Sequence, residues 1–356
     1  MHSTTRITID LAALAANYAQ LRTLARNSEV AAVVKANAYG LGVAPVTSRL
    51  ISAGCRTFFV ATVAEGVEVR ALHPATRIFV LGGLQVGSLA DFARYRLLPV
   101  LNTVAEVDTW ARQLAGAPAA LQIDTGMTRA GLSADEAEAL GLDTNRRGAL
   151  NLALILSHFA CADEPARAMN LEQLERFERL RRHWPGIPWS LANSAGTFLG
   201  PRYHGDLVRP GIALFGGRPQ ASGVNPMSEV VRLQGRVLQV RAVREAVSVG
   251  YGATMRILPP ARIATIGVGY ADGYPRALSA RGYASQNGHR APLVGRISMD
   301  LLTVDVSEAV HDELLVGDYV DLIGGGAPLE EVASLAGTVN YELLTSLSRR
   351  AEWIYH

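Results

Sequence analysis

The chain has 356 residues, 49% of them hydrophobic and 19% charged, with a formal net charge of +2. This composition supports packed cores and excludes a disordered chain, and at roughly 150 residues per domain it suggests two domains. Balanced charge without a long block of one sign argues against nucleic acid or a membrane surface as partner. Apolar stretches such as Leu150–Leu156 fall far short of the ~18 residues a membrane span needs. Two cysteines, Cys55 and Cys161, suffice for neither a disulfide framework nor a CxxC metal site. No metal is expected, and the cytoplasm is the expected location.

In chain order, Asp10 can cap a helix over residues 11–26. Short apolar runs then alternate with helix-patterned segments up to about residue 215. The runs are Ala31–Ala36, Thr57–Ala61, Arg77–Leu81, Leu97–Leu101, Ala119–Asp124, Leu152–His158, Trp189–Asn193 and Leu207–Arg209. Between them lie candidate helices at 43–54, 63–72, 87–95, 103–116, 133–147 and 166–183, and a short one opening at Ser194. Eight such units predict an α/β fold, a parallel (β/α)8 TIM-like barrel, in preference to an open doubly wound sheet.

The turn-rich GGRPQASGVN (216–225) marks a boundary, beyond which helical periodicity fades. Strands are expected at Val230–Val243, Arg262–Val268, Pro292–Val306 and Tyr319–Ile323. Leu302, Val304 and Val306 alternate with Thr303, Asp305 and Ser307, the period of a half-buried strand. Gly324–Gly326 reads as a turn. The C-terminal part is therefore predicted to be a mostly β domain.

Of the 34 basic residues, 33 are arginine and one, Lys35, is lysine. Arginine replaces lysine as a surface charge, but it cannot be deprotonated or form an imine. On the predicted strands Lys35 falls at the end of the first, Arg129 after the fifth and His158 at the end of the sixth. Asn193 and Ser194 follow the seventh, and Arg209 ends the eighth. These are strand C-termini, where barrel enzymes place their sites. A lysine at an apolar strand end suits attack on a carbonyl once burial lowers its pKa from ~10.4. Both a class I aldolase and an enzyme using pyridoxal 5'-phosphate need such an amine. Ser194 at a helix start, with the Gly211 and Ile212 amides, can cradle a phosphate and so favours the second.

Here a resemblance becomes specific. VVKANAYGLG (33–42) resembles the cofactor-lysine segment of alanine racemases. DTGMTRAGL (124–132), SHFACAD (157–163), NSA (193–195), RPGIALFG (209–216) and VGYGATM (249–255) resemble that family in its order. So do GVGYADGYPR (267–276), GRISMDLLTVDV (295–306) and YELLTSLSRR (341–350). The resemblance implies a pyridoxal 5'-phosphate barrel over residues 10–222 and a β domain over 223–356 with residues 1–9. It implies a homodimer with shared active sites that interconverts L- and D-alanine for peptidoglycan.

Carried over by position, Lys35 would hold the cofactor and serve as one of two bases, with Tyr251 of the other subunit as the second. Tyr39, Ser194, Gly211, Ile212 and Tyr341 would bind the phosphate, with Asn193 beside them. Arg209 would face the pyridine nitrogen, and His158 would link Arg209 to Tyr251. Arg129 and Met299 would position the substrate carboxylate, and Tyr270 would narrow the entrance. Two bases on opposite faces of a planar intermediate racemise without moving the substrate. A tyrosine near ~10 is a poor base, so positive charge relayed from Arg209 through His158 would favour phenolate. A nitrogen facing donor-only Arg209 must accept a hydrogen bond, which weakens the cofactor as an electron sink and disfavours side reactions.

Two positions depart from the family pattern. Gln122 stands where many members carry a carbamylated lysine that orients the arginine seven residues on. Either a bound anion such as chloride or a direct amide contact would then hold Arg129. The C-terminal RRAEWIYH departs from an Arg-Val-Pro-Arg-like ending. Competing readings are a racemase for serine or basic amino acids, a pyridoxal phosphate decarboxylase of similar architecture, and a non-enzymatic binding protein.

Overall fold

The computed structural model describes residues 3–308, 310 and 313–356. By contact, Leu14–Ser228 form one compact unit, and Glu229–His356 with the residues up to Ala13 form the other.

In the first unit, seven parallel strands run in order, their ladder opening at Ala32–Val33 and passing through Thr57–Val60, Arg77–Val80, Leu98–Leu101, Pro118–Gln122, Asn151–Leu156 and Trp189–Ser190. Leu207–Val208 pairs in parallel with Glu29–Val30, the N-terminal half of that first strand. Glu29, Ala31 and Val33 donate backbone bonds to Asp206, Val208 and Pro210, and Arg209 N donates to Ala192 O at 2.9 Å. The eighth strand thus joins the seventh to the first, and the barrel closes. Phe58, Phe59, Ile78, Phe79, Val100, Leu121 and Ile155 are all buried, as expected of parallel strands covered on both faces.

The helices start where side-chain caps allow. Asp10 Oδ1 accepts from Ala13 N at 2.7 Å. Thr62, Thr103 and Ser133 each accept from the backbone N–H of a glutamate three residues on. The expected first run, Ala31–Ala36, is shorter as a strand and ends at Val33. Beyond it the chain turns into a left-handed conformation that no ladder can continue.

The second unit is built on the 13-residue strand Val231–Val243. It pairs antiparallel with Thr5–Ile9, Tyr319–Ile323 and Ala261–Ile266, and Leu302–Asp305 continues the sheet from Ala261–Ile266. Leu302, Val304 and Val306 are buried while Thr303 and Asp305 are half-buried. The segment expected as one strand over Pro292–Val306 divides: His289–Pro292 closes a hairpin with Tyr283–Gln286, and strand structure resumes only at Leu302. Residues 293–301 between them form a loop whose buried Leu293, Val294 and Ile297 carry the apolar density that reads as strand. Gly324 and Ala327 exchange backbone bonds across a turn with positive φ at Gly324, Gly325 and Gly326. At the divergent C-terminus, Glu352–Tyr355 adds in parallel to Thr5–Ile9, and Glu352 pairs with Arg6 at 3.4 Å. Among the described residues no helix is long and apolar enough to cross a membrane.

Candidate active site at the barrel mouth

Lys35 lies two residues beyond the end of the first strand, half-buried. Ala36, Asn37, Ala38 and Tyr39 follow with φ of 53°, 54°, 55° and 57°, and Gly40 ends the turn at 86°. Each non-glycine residue in this conformation costs about 1–2 kcal/mol, so the surroundings must impose it. Gly40 N donates to Ala36 O at 2.7 Å and Gly42 N to Asn37 O at 3.0 Å. Asn37 Oδ1 accepts from Val43 N at 2.8 Å, where the next helix starts. Burial, followed by the Arg129 charge, lowers the Lys35 amine from its ordinary value, while the Glu65 carboxylate opposes the shift. A larger neutral fraction makes the lysine a better nucleophile and base.

Arg209 is 4% exposed. It donates to Ser190 Oγ, to Ser157 O at 2.6 Å and to His158 Nδ1 at 3.4 Å. Burial lowers its guanidinium to about 9, still above neutrality, so it stays charged. His158 is pushed down to about 3 by burial and by the charges of Arg209, Arg129 and Lys35. Its neutral form is therefore favoured. A neutral imidazole in this place passes on a polarised hydrogen bond. Arg209 can only donate, and as the charged one of two donors that each lie 3.4 Å from a ring nitrogen it favours the tautomer in which Nδ1 accepts and Nε2 carries the hydrogen. Asn193 Oδ1 caps the short helix Ser194–Thr197 by accepting from Gly196 N at 2.8 Å. That leaves Asn193 Nδ2, itself a donor, 3.4 Å from Nε2. Two facing donors do not bond, so Nε2–H remains available to another acceptor.

Ser194 Oγ accepts from Gly211 N at 2.8 Å and from Ala213 N at 3.2 Å. With its lone pairs engaged, its hydroxyl hydrogen is left to donate. Tyr39 is 7% exposed, with its ring centroid 4.9 Å from that of Phe215. Its hydroxyl comes so near Gly211 that a Cβ there would collide with it. Tyr39, Ser194 and Gly211 thus meet on the barrel rim beside Ile212, and the Tyr39 and Ser194 hydroxyls with this backbone are groups that suit a phosphate.

Arg129 is exposed at the same mouth. Gln122 Nε2 donates to Ala130 O at 2.9 Å, tying the fifth strand to the turn that carries Arg129. A direct contact would need Gln122 Oε1 to accept from the donor-only guanidinium, and among the described residues the Gln122 side chain bonds instead, through Nε2, to the backbone of the turn that carries Arg129.

On the β unit, Tyr251, Tyr270, Met299 and Tyr341 are 71%, 43%, 52% and 45% exposed. Tyr270 N and Ala271 N donate to Ser298 O and Met299 O at 3.1 and 3.0 Å, so the Tyr270 and Met299 loops are bonded together. Residues the sequence reading missed hold them in place. Arg350 grips buried Asp272 through Nε at 2.7 Å and Nη2 at 2.9 Å, and reaches Asp300 at 2.8 Å. Asp272 Oδ2 also accepts from Gly269 N at 2.8 Å. Glu65 was missed as well. Its signal is a tetrapeptide, TVAE, that occurs at 62–65 and again at 103–106.

A lone half-buried lysine at the mouth of a closed parallel barrel suits an enzyme that works on a carbonyl through lysine. Comparison with known proteins makes the class particular. Residues 9–219 match the family model for the alanine racemase N-terminal domain, and residues 230–355 match that for its C-terminal domain. An alanine racemase of Rhodospirillum rubrum is 46% identical over 354 residues, covering 98% of this chain and 95% of the relative. A catabolic alanine racemase of Agrobacterium fabrum is 47% identical, covering 97% of this chain and 90% of the relative. A crystal structure of alanine racemase from Bartonella henselae with covalently bound pyridoxal phosphate superposes with a TM-score of 0.95 at 38% identity, each chain covered fully. The chain belongs to the alanine racemase family.

Proposed function

We propose that this chain is a pyridoxal 5'-phosphate-dependent isomerase that interconverts L- and D-alanine, working in the cytoplasm as a homodimer and supplying D-alanine for peptidoglycan. The observation that carries this reading is the full-length match to alanine racemases with Lys35, the only lysine, in place at the barrel mouth.

Lys35 would hold the cofactor, and Tyr39, Ser194, Gly211 and Ile212 would bind its phosphate, with Asn193 fixing the Ser194 turn and Tyr341 completing the set. Bound there, pyridoxal 5'-phosphate supplies an electron sink that acidifies the substrate α-hydrogen. Arg129 receives the substrate carboxylate, with Met299 assisting and Tyr270 narrowing the approach. Lys35 moves the proton on one face, and the partner's Tyr251 moves it on the other. The His158 Nε2–H is the donor left to meet the oxygen of the partner's Tyr251. Arg209 holds that imidazole in the required tautomer through Nδ1 and faces the cofactor's ring nitrogen with donors only.

Borohydride treatment of the holoenzyme is expected to fix the cofactor on a single peptide, the one containing VVKANAYG. In parallel, a panel of L-amino acids is expected to yield D-alanine fastest. Label on the α-amine, or no label, would sink the Lys35 assignment. Faster turnover of serine or arginine would move the substrate to the competing readings.

A further inference from the structure

The Glu65 carboxylate joins two barrel strands at the position where the lysine emerges. It stands in the third position of the helix Val63–Leu72, where a capping-box glutamate ordinarily turns back on its own helix start. Glu65 does so through Oε2, which accepts from Thr62 N at 3.3 Å and from Ala61 N at 2.7 Å. Its other oxygen leaves the motif and accepts from Ala36 N at 2.8 Å. That N–H belongs to the peptide linking Lys35 to Ala36, the first residue of the left-handed turn.

Glu106 occupies the same place in the second TVAE segment. Its Oε2 accepts from Asn102 N at 2.6 Å, and its Oε1 accepts from Leu84 N at 2.9 Å. Each glutamate therefore ties its own strand-to-helix turn to the turn after the preceding strand. The two clips share the bond to the residue before the cap and the bond across to the preceding turn, and they differ in what they hold: one supports a loop without an ionisable residue at the bond, the other supports Lys35.

We propose that Glu65 is a positioning residue for Lys35, fixing the peptide that carries it and keeping a negative charge near its amine. This rests on the reading of Lys35 as the cofactor lysine. The charged and titratable groups that act on Lys35 are Arg129, from the turn after the fifth strand, Glu65, and His158, which is neutral. Burial and Arg129 push the amine down, and Glu65 alone pushes it up. The carboxylate thus limits how far the lysine loses its proton, leaving it able both to take one up and to give one back.

Acetylation by acetic anhydride tests this, because only the neutral amine reacts and Lys35 is the only lysine. In the full chain freed of cofactor, Glu65→Gln is expected to raise the Lys35 acetylation rate at pH 7 by about threefold or more, since the neutral fraction grows as the opposing charge goes. Glu106→Gln is expected to lower Tm as much as Glu65→Gln, because each leaves one backbone N–H facing an amide NH2, yet to leave that rate unchanged. Glu65→Asp keeps the charge but, one methylene shorter, draws it back from the Lys35–Ala36 peptide, so its Lys35 acetylation rate should rise above the parent's by less than full removal of the charge would give, and it can be read even if Glu65→Gln fails to fold. A Glu65→Gln rate equal to that of Glu106→Gln, or a Glu65→Asp rate equal to the parent's, overturns the proposal. Acetylation needs neither cofactor nor turnover, so absence of racemisation would count against the function alone.

Discussion

Co-refolding Lys35→Ala with Tyr251→Phe is expected to restore racemisation that neither variant shows alone. Removing either base should cost roughly 10²–10⁴-fold, the usual contribution of a positioned acid or base. If Lys35 of one chain works with Tyr251 of the other, a mixed dimer has one site with both defects and one with neither. Random reassortment of equal amounts makes half the dimers mixed, so about a quarter of all sites recover. Each variant unfolded and refolded by itself is the control. Mixed dimers that form and stay inactive would place both bases on one chain, and the shared site would be wrong.

Gly211→Ala is expected to weaken pyridoxal 5'-phosphate binding by about one to two orders of magnitude, at an overpacking cost of ~1–3 kcal/mol. The new methyl would strike the Tyr39 hydroxyl and lie 2.8 Å from Cζ. Tyr39 has little room to retreat, since it is buried against Phe215 and its backbone is held in the left-handed turn. The same step displaces the Gly211 N–H from Ser194 Oγ, so the Tyr39 and Ser194 hydroxyls are disturbed together. Spectroscopic titration of the apoprotein measures the effect. Adding Tyr39→Phe removes the colliding oxygen, so the double variant should bind better than the product of the two single losses predicts. Parent-like affinity in Gly211→Ala would show that Tyr39, Ser194 and Gly211 do not bind the phosphate.

The barrel was legible because its signals are local. Eight apolar runs separated by capped helices announce themselves through periodicity, and Asp10, Thr62, Thr103 and Ser133 cap in the structure as their residue types suggest. The strand-end placement of Lys35, His158 and Arg209 followed directly from that reading. Elements defined by distant partners were not legible. Nothing in KANAY marks four consecutive left-handed residues; bonds to Glu65, Val43 and Gly42 impose them. The GRISMD loop has a strand's apolar content without its ladder. Tyr251 stands in an exposed three-residue 3-10 turn that periodicity passes over, and only the family resemblance singled it out. Asp272 and Arg350 are 78 residues apart, and no local pattern joins them.

The turn after Lys35 also has a consequence of handedness. Its φ values near +55° are those of a right-handed helix seen in a mirror, so Ala36 and Ala38 adopt the backbone that a D-residue prefers. The strain there comes from the configuration at Cα, not from any contact that could be repacked. A β-branched L-residue at either position would raise it. A chain assembled by chemical ligation with D-alanine at the exposed position 36 would hold the same turn without the cost that an L-residue meets there. Its melting temperature should then exceed that of the all-L chain.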